Sequence, residues 1–185
     1  MTVQVNYLTR GKSFQAALYC VRRELKSHGC FTEKVAGLKV YQTPISFAYG
    51  YQYYKEHGDI VIPQVSLSRL WDNIFGGSYV SIRDIIRHEY AHGIAHCHPK
   101  MINTVSFKRT FQGEHDSGTG LDYKEQHHVS VYASKNPCED FAEVFMYFVK
   151  YHGKIPPMFS GLPVIEKKWR FIEAMCKKLK KLKQG

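Results

Sequence analysis

The residues best suited to chemistry in this chain lie in the segment His88-Glu-Tyr-Ala-His92. On a helix, residues four apart lie on one face a turn above each other, so both imidazoles can reach one metal ion. Zinc binds histidine nitrogens at about 2.0–2.1 Å. Glu89, beside them, would take a proton from a zinc-activated water as general base and pass it to a leaving amine. The spacing predicts one catalytic Zn²⁺ held by His88 and His92.

The same five residues also fit a surface helix with two solvated histidines. The chain has ten histidines and ten glutamates, and random order would give the pattern roughly 0.03 times, whereas the pattern is a named zinc-protease signature. Apolar periodicity independently predicts a helix from Ser81 to about His96. The metal-binding interpretation is therefore favoured over the solvated helix.

A catalytic zinc needs a third protein ligand and an open position. Glu139 begins a second apolar helix, predicted over 136–151, and shares a face with Glu143. Two carboxylates on such a helix need partners, which a metal and a metal-bound histidine would supply. His98, ten residues after His88, and His115, in the polar and glycine-rich segment 103–126, are the other candidates. Residue types alone leave all three open.

The two motifs together, His88-Glu-Tyr-Ala-His92 and Tyr132…Asn136-Pro-Cys-Glu139-Asp-Phe-Ala-Glu143, resemble those of the anthrax lethal factor-like metallopeptidases, a group that includes the clostridial Pro-Pro endopeptidases. The resemblance covers residues 59–151. It implies a zincin-like, gluzincin-type domain with Glu139 as third zinc ligand. It further implies that Tyr132, seven residues earlier, stabilises the transition state, and that Glu143 supports a ligand histidine. The implied activity is that of a zinc endopeptidase, with a toxin or effector among the expected roles.

Three alternatives remain beside this resemblance. His98 lies where metzincins place their third histidine, but Ala95 stands where that clan requires glycine to turn the chain. His115 would suit a SprT-like DNA-associated metalloprotease, which fits a basic protein but leaves Glu139 and Tyr132 unexplained. A zinc-binding module without proteolytic activity is the third, although a structural zinc site needs no general base.

The order of predicted elements, a helix, strands and then helices, favours an α+β domain. Pro63 cannot donate a ladder hydrogen bond, so its strand is predicted at a sheet edge, where it would bind an extended substrate by strand addition. The segment 71–77 is a candidate flank of the cleft, and His127 and His128 are fallback oxyanion donors in an exposed loop. The predicted helices are 13–26, 81–96, 136–151 and 164–183, and the predicted strands are 35–42, 45–53 (separated from the first by Thr43-Pro44) and 59–68.

Length and charge predict one domain over residues 1–185. The net charge of +10 is concentrated in 166–185, where eight Lys/Arg and two Glu give +6. This segment is predicted to be a docked basic helix with one packed stripe and a solvated lysine face. The alternative is that the lysine face contacts an anionic lipid, nucleic acid or acidic partner. The stripe consists of Trp169, Ile172, Cys176 and Leu179.

Targeting signals and cysteines bear on the compartment. The sequence has no apolar run long enough for a transmembrane segment, and its N-terminus lacks the order of a secretory signal. A cytoplasmic location, export by a signal-less route or a processed mature form is therefore expected. The five cysteines are odd in number and widely spaced, which favours reduced thiols. The natural substrate and oligomeric state are not predicted.

Overall fold

The structure, a computed structural model, describes residues 11–46, 50–54, 57–66 and 81–182. Three strands form one small mixed sheet, and most of the remaining described chain is helical, so the predicted α+β class is confirmed. The strands are β1 (Lys39–Ser46), β2 (Gly50–Tyr54) and β3 (His57–Ser66). The helices are α1 (Gly11–Ser27), α2 (Glu33–Ala36), α3 (Ile82–Cys97), α4 (Pro99–Ile102), α5 (Val105–Phe111), α6 (Pro137–Lys150) and α7 (Pro163–Leu182), with short 3-10 turns at Tyr132–Lys135 and Pro157–Phe159.

The strand order is β1-β3-β2, with β1 parallel and β2 antiparallel to β3. The prediction that 59–68 forms an edge strand is therefore wrong, because β3 is central. β2 pairs only with the first half of β3, from His57 to Val61. Pro63 lies in the second half, where β1 is the one neighbour among the described strands. A missing N–H is tolerated where one side of a strand is unpaired.

β1 also differs from the prediction of two strands separated at Thr43-Pro44. A single strand runs through Pro44, and its register pairs Thr43 with Pro63 and Ile45 with Val65. β1 has β3 alone as a described neighbour, so proline is tolerated there as well. The strand begins later than predicted because Thr32 caps a helical turn instead, its hydroxyl accepting the N–H of Val35 at 3.4 Å. The proposed cleft flank at 71–77 lies outside the described residues.

Helix α3 is the central element of the helical layer and packs against α1, α6 and the sheet. The apolar stripe predicted on the first helix is buried against it. A glycine inside α3 costs up to about 1 kcal/mol in helix propensity. Gly93 occupies that position because a Cβ there would lie 2.5 Å from Leu38 Cδ1. The buried stripe of α1 consists of Phe14, Ala17, Leu18, Val21 and Leu25.

A network of buried and half-buried charges fixes the side of α3 that faces α1. Arg87 donates from Nε and Nη2 to both carboxylate oxygens of Glu24, each at 2.8 Å, and from Nη1 to Asp84 at 2.5 Å. Lys150 of α6 donates to the other oxygen of Asp84 at 2.9 Å. Burial raises the pKa of Asp84, but Lys150 and Arg87 outweigh it and hold the pKa below its ordinary value. Three helices are thus joined by charges that pair with one another; we call this set the rear network.

The basic C-terminal helix is confirmed as α7, and its predicted stripe from Trp169 to Leu179 is buried. Lys168 is fully buried on the same helix, where it pairs with Asp140 of α6 and donates to the carbonyl of His127, both at 2.5 Å. Burial raises the pKa of Asp140 to about 6 despite that lysine. α7 therefore holds α6 and the preceding loop in place. Among the described helices, none is both long and apolar enough to span a bilayer.

Candidate metal centre

Helix α3 places two imidazoles on one face. Ser81 caps the helix, its hydroxyl accepting the N–H of Asp84 at 3.2 Å. The helix continues without a break to Cys97, so residues four apart stand one turn apart. The Nε2 atoms of His88 and His92 are 3.1 Å from each other. Two nitrogens thus converge on one point, as the spacing predicted.

Helix α6 brings a carboxylate to the same point. Asn136 caps α6 by accepting the N–H of Glu139 at 2.9 Å, and Pro137 takes the first helical position. This cap fixes Glu139 in the first turn. Its Oε2 lies 3.1 Å from His88 Nε2 and 3.4 Å from His92 Nε2. The three predicted ligands from two helices therefore meet.

The separations of these three atoms match a tetrahedral metal site. Around an ion with bonds of about 2.0–2.1 Å, tetrahedral ligand atoms are about 3.3–3.4 Å apart. The three observed separations are 3.1, 3.1 and 3.4 Å. His88, His92 and Glu139 also form the one group of histidine, cysteine and acidic side chains in the described chain that could hold a metal ion. The residues fit a metal ion.

His88 is oriented by a chain of hydrogen bonds behind it. Its Nδ1 lies 2.8 Å from Glu143 Oε1, and the hydroxyl of Ser130 donates to Glu143 Oε2 at 2.7 Å. The N–H of Ala133 donates to that hydroxyl at 3.0 Å. A carboxylate on the far nitrogen fixes the tautomer and the direction of a metal-binding histidine. Glu143 therefore lies where the resemblance implied, in contact with the far nitrogen of His88.

The ring of His92 is contacted on its far side by a different group. Its Nδ1 lies 3.2 Å from the sulfur of Cys138. Burial raises the pKa of that thiol to about 12, with the carboxylates of Glu139, Asp116 and Glu89 adding to the effect. All five cysteines are free, as predicted.

The charge of the cluster favours a cation. Burial lowers the pKa of His88, but hydrogen bonds to Glu139 and Glu143 outweigh it and raise the pKa to about 10. For Glu139 burial raises the pKa, while His88 and His92 together hold it well below its ordinary value. The ring of His88 thus carries a proton to satisfy the carboxylates. A bound cation would satisfy them in its place.

Glu89, the predicted general base, is buried beside the cluster with 3 % of its surface exposed. Burial raises its pKa above the ordinary value, whereas the histidines and a hydrogen bond from the backbone N–H of Tyr51 oppose the rise. It lines the same cavity as the three ligands. A carboxyl group with a raised pKa is a stronger proton acceptor than an exposed one.

The cavity that opens onto the cluster has a volume of about 650 Å³. Its lining includes Gly50 and Tyr51 of β2, Tyr132 and the loop residues His115 and Asp116. A cavity of this size admits a peptide segment rather than water alone. The ligand side chains that line the cavity can thus be reached by a molecule larger than water.

Tyr132, the predicted transition-state donor, begins the 3-10 turn that precedes α6. About half of its surface is exposed, and its ring centre lies 5.8 Å from that of His88. The ammonium of Lys135 lies 5.3 Å from the centre of the same ring. The structure therefore brings Tyr132 to the rim of the cluster and into the cavity wall.

The other predicted candidates lie elsewhere. His98 ends α3 and its Nε2 lies 2.8 Å from the hydroxyl of Thr32, outside the ligand group. His115 lines the cavity, but its Nδ1 contacts Asp116 at 2.6 Å and it is not in the ligand group. The prediction that His128 is exposed is wrong, because only 3 % of it is accessible and its Nδ1 accepts the N–H of Lys124.

Three contributors to the site were missed in the sequence. Ser130 lies in a segment predicted as irregular, and no motif marks its hydroxyl. The N–H of Tyr51 depends on where β2 packs, which local patterns do not specify. Cys138 lies inside the second motif, directly before Glu139, so its proximity to a metal ligand was available from the sequence.

Comparison with known proteins adds no assignment. No protein-family model matches this chain, and searches of curated proteins and of solved structures found no match. Its function is therefore inferred from the geometry of the cluster formed by His88, His92 and Glu139.

Proposed function

We propose that this protein is a zinc-dependent endopeptidase with a zincin-like domain, similar to the lethal factor-like metallopeptidases, that hydrolyses peptide bonds of a protein substrate. One observation carries the proposal. The ligand atoms of His88, His92 and Glu139 lie 3.1–3.4 Å apart at the wall of a cavity, with the buried carboxyl group of Glu89 beside them. This is the set of parts that metal-assisted hydrolysis requires.

Two other uses of the same ligands are less well supported. A structural zinc site has four protein ligands and no opening, whereas three converge here next to a cavity. Two histidines and one carboxylate also hold Fe(II) in oxygenases. An oxygenase has no need of a buried acid such as Glu89 beside the metal. Its presence, with Tyr132 at the rim, favours hydrolysis.

The mechanism assigns a step to each of the chain's own residues. When bound, zinc supplies a Lewis acid that activates water and polarises a carbonyl. Glu89 accepts the proton that water loses on attack and delivers it to the departing amine nitrogen. Burial raises the pKa of this carboxyl group, which strengthens it as the proton acceptor in the first transfer. Tyr132 would donate a hydrogen bond from its hydroxyl to the oxyanion that develops on the carbonyl.

The substrate strand is reassigned from β3 to β2. β2 is an edge of the described sheet, and its residues Gly50 and Tyr51 line the cavity. A peptide that paired with β2 on the side away from β3 would extend the sheet and lie in the cavity in extended form. Backbone hydrogen bonds would hold the peptide, while side chains in the cavity would select it.

A Glu89→Gln variant tests the proposal. The amide keeps the shape of the side chain but cannot accept the proton, so kcat/KM for protein or peptide cleavage should fall on the order of 10²–10⁴-fold. Metal analysis should find one zinc per chain in both proteins. Cleavage is measured with a peptide library, which also profiles the preferred sequence.

Equal cleavage by the wild type and Glu89→Gln would refute the catalytic assignment. The SprT-like alternative predicts a different outcome, in which His115→Ala loses zinc, Glu139→Ala retains it and DNA stimulates cleavage. Zinc in both proteins with cleavage by neither would favour the binding module without proteolytic activity.

A further inference from the structure

We propose that Cys138 is a positioning residue, whose sulfur holds the ring of His92 with Nε2 turned towards the metal. This inference rests on the proposed function, since it assumes that His92 is a zinc ligand. It assigns a role to a side chain that the mechanism above does not use. It also gives the two histidine ligands different supports.

The contact is direct and comes from a well-fixed part of the chain. The sulfur of Cys138 lies 3.2 Å from His92 Nδ1, on the side of the ring away from Glu139. Cys138 is the second residue of α6, between Pro137 and the ligand Glu139. One helical turn therefore presents a ligand oxygen to one nitrogen of the ring and a sulfur to the other.

The start of α6 has little freedom to move. Asn136 caps it, and Pro137 packs so closely on the preceding loop that a Cβ at Gly113 would lie 2.7 Å from the proline ring. Asp140, two residues after Cys138, is tied to the buried ammonium of Lys168. The sulfur is thus held at a defined place against His92.

Metal binding decides the direction of this hydrogen bond. A metal ion on Nε2 leaves the proton of neutral imidazole on Nδ1, so the ring must donate and the sulfur must accept. Almost every metal-bound histidine donates its other N–H to an acceptor, which is usually a carboxylate, a backbone carbonyl or water. Cys138 fills that position for His92.

The two histidine ligands consequently differ in the strength of their support. His88 donates to the carboxylate of Glu143, which makes a charge-assisted bond. His92 donates to a thiol sulfur, which is a weak acceptor. We therefore expect loss of the Cys138 contact to weaken zinc binding less than loss of the Glu143 carboxylate.

The experiment measures the zinc affinity of the full chain by competition with a chromophoric chelator. Cys138→Val fills the space without an acceptor, Cys138→Ala removes the side chain, and Cys138→Ser restores an acceptor. Outer partners of ligand histidines contribute about 10- to 100-fold in metal affinity. Val and Ala should weaken zinc binding by about 10-fold, Glu143→Gln by more, and Ser by less than about 3-fold.

A second readout separates positioning from packing. Co²⁺ in place of zinc reports ligand geometry through its visible spectrum, which should change in Cys138→Val and Cys138→Ala and return towards the wild type in Cys138→Ser. Cys20→Ala, on helix α1 and outside the ligand group, is the matched control and should leave affinity and spectrum unchanged. Thermal unfolding of the metal-free proteins checks that each variant is folded.

Wild-type zinc affinity and an unchanged Co²⁺ spectrum in folded Cys138→Ala would overturn the role of Cys138. The same weakening in Cys138→Ser as in Cys138→Ala would also overturn it, because the acceptor would then not matter. A wild-type chain that bound no zinc would instead overturn the proposed function, so the two failures are distinguishable.

Discussion

The two sides of helix α3 both carry buried charged groups, but they reach neutrality in different ways. On the rear side, two acids and two bases contact one another, so the rear network closes within the protein. On the cavity side, three carboxylates face two imidazoles, and hydrogen bonds to two of these carboxylates raise the pKa of His88 to about 10. The difference distinguishes a network that supports the fold from a cluster that needs a cation. The three carboxylates are those of Glu89, Glu139 and Glu143.

The metal-free protein meets that need with a proton. His88 has a pKa raised to about 10 by its two carboxylate partners. A metal ion on Nε2 must displace this proton, so binding is accompanied by proton release. Zinc affinity at the cavity side should accordingly rise with pH. The rear network has no ligand that exchanges a proton for a metal ion.

The largest expected effect comes from removing the carboxylate ligand. Glu139→Gln keeps the size of the side chain but deletes the negative charge that faces both imidazoles. Zinc affinity should fall at least about 1,000-fold, well beyond the loss caused by removing an outer partner of a ligand. Chelator competition measures this, and cleavage should be lost in parallel. Near wild-type zinc affinity would show that the cavity side does not depend on this ligand.

The next effect concerns folding rather than binding. Arg87→Met removes the partner of the Glu24 carboxylate and of one carboxylate oxygen of Asp84, and both groups are largely shielded from solvent. Removing one member of a buried ion pair costs about 3–5 kcal/mol, and the lower end is expected here because Lys150 still pairs with Asp84. Denaturant unfolding measures the loss. Lys167→Met, on the exposed face of α7, is a control that should change stability little.

Arg87→Met should still bind one zinc per folded chain, since the hydrogen bonds of the Arg87 guanidinium go to Glu24 and Asp84 and not to the three ligand side chains. A variant that kept its stability but lost zinc would contradict the separation between the two sides of α3.

The smallest expected effect is a change in acid sensitivity. Lys150 and Arg87 hold the pKa of Asp84 below its ordinary value in spite of burial. A carboxyl group with a lowered folded pKa contributes stability above its unfolded pKa of about 3.9, and this stability is lost as the pH falls below that value. Asp84→Asn should therefore lower stability at pH 7 by about 1 kcal/mol and flatten the decline below about pH 4. Unfolding curves at pH 7 and pH 3 of the metal-free proteins test this, and parallel declines would contradict it.

The sequence predicted the cavity side well because its information is local. The spacing of His88 and His92 follows from helical periodicity alone, and the cap formed by Asn136 and Pro137 marks the turn that carries Glu139. The sequence also shows that the two motifs contain three glutamates, Glu89, Glu139 and Glu143, against two histidines. For the third ligand, residue types alone left three candidates and the resemblance implied Glu139, which the structure places in one group with His88 and His92.

The rear network was not predicted, because its members are far apart in the chain. Glu24 and Arg87 are 63 residues from each other, and as single charged residues they look like exposed helix positions. Helix α5 was also missed, within a segment predicted to be a loop, although Thr104 caps it and Phe107 and Phe111 are buried. Polar neighbours concealed those two aromatic side chains.

The sheet shows how a correct local rule can give a wrong topology. Proline was taken to exclude Pro63 from a central strand and Pro44 from a continuous one. Both prolines are accommodated because each lies where its strand has one described neighbour. Strand order depends on which segments pair across the chain, and local residue patterns contain little of that information.

Ser130 has one hydroxyl that serves two neighbours. It donates to Glu143, which orients His88, and it accepts the N–H of Ala133 in the turn that begins with Tyr132. Loss of this hydroxyl would disturb both the orientation of His88 and the turn that carries Tyr132. Few replacements can perform both tasks, with threonine the nearest, so sequence variation at residue 130 should be narrow.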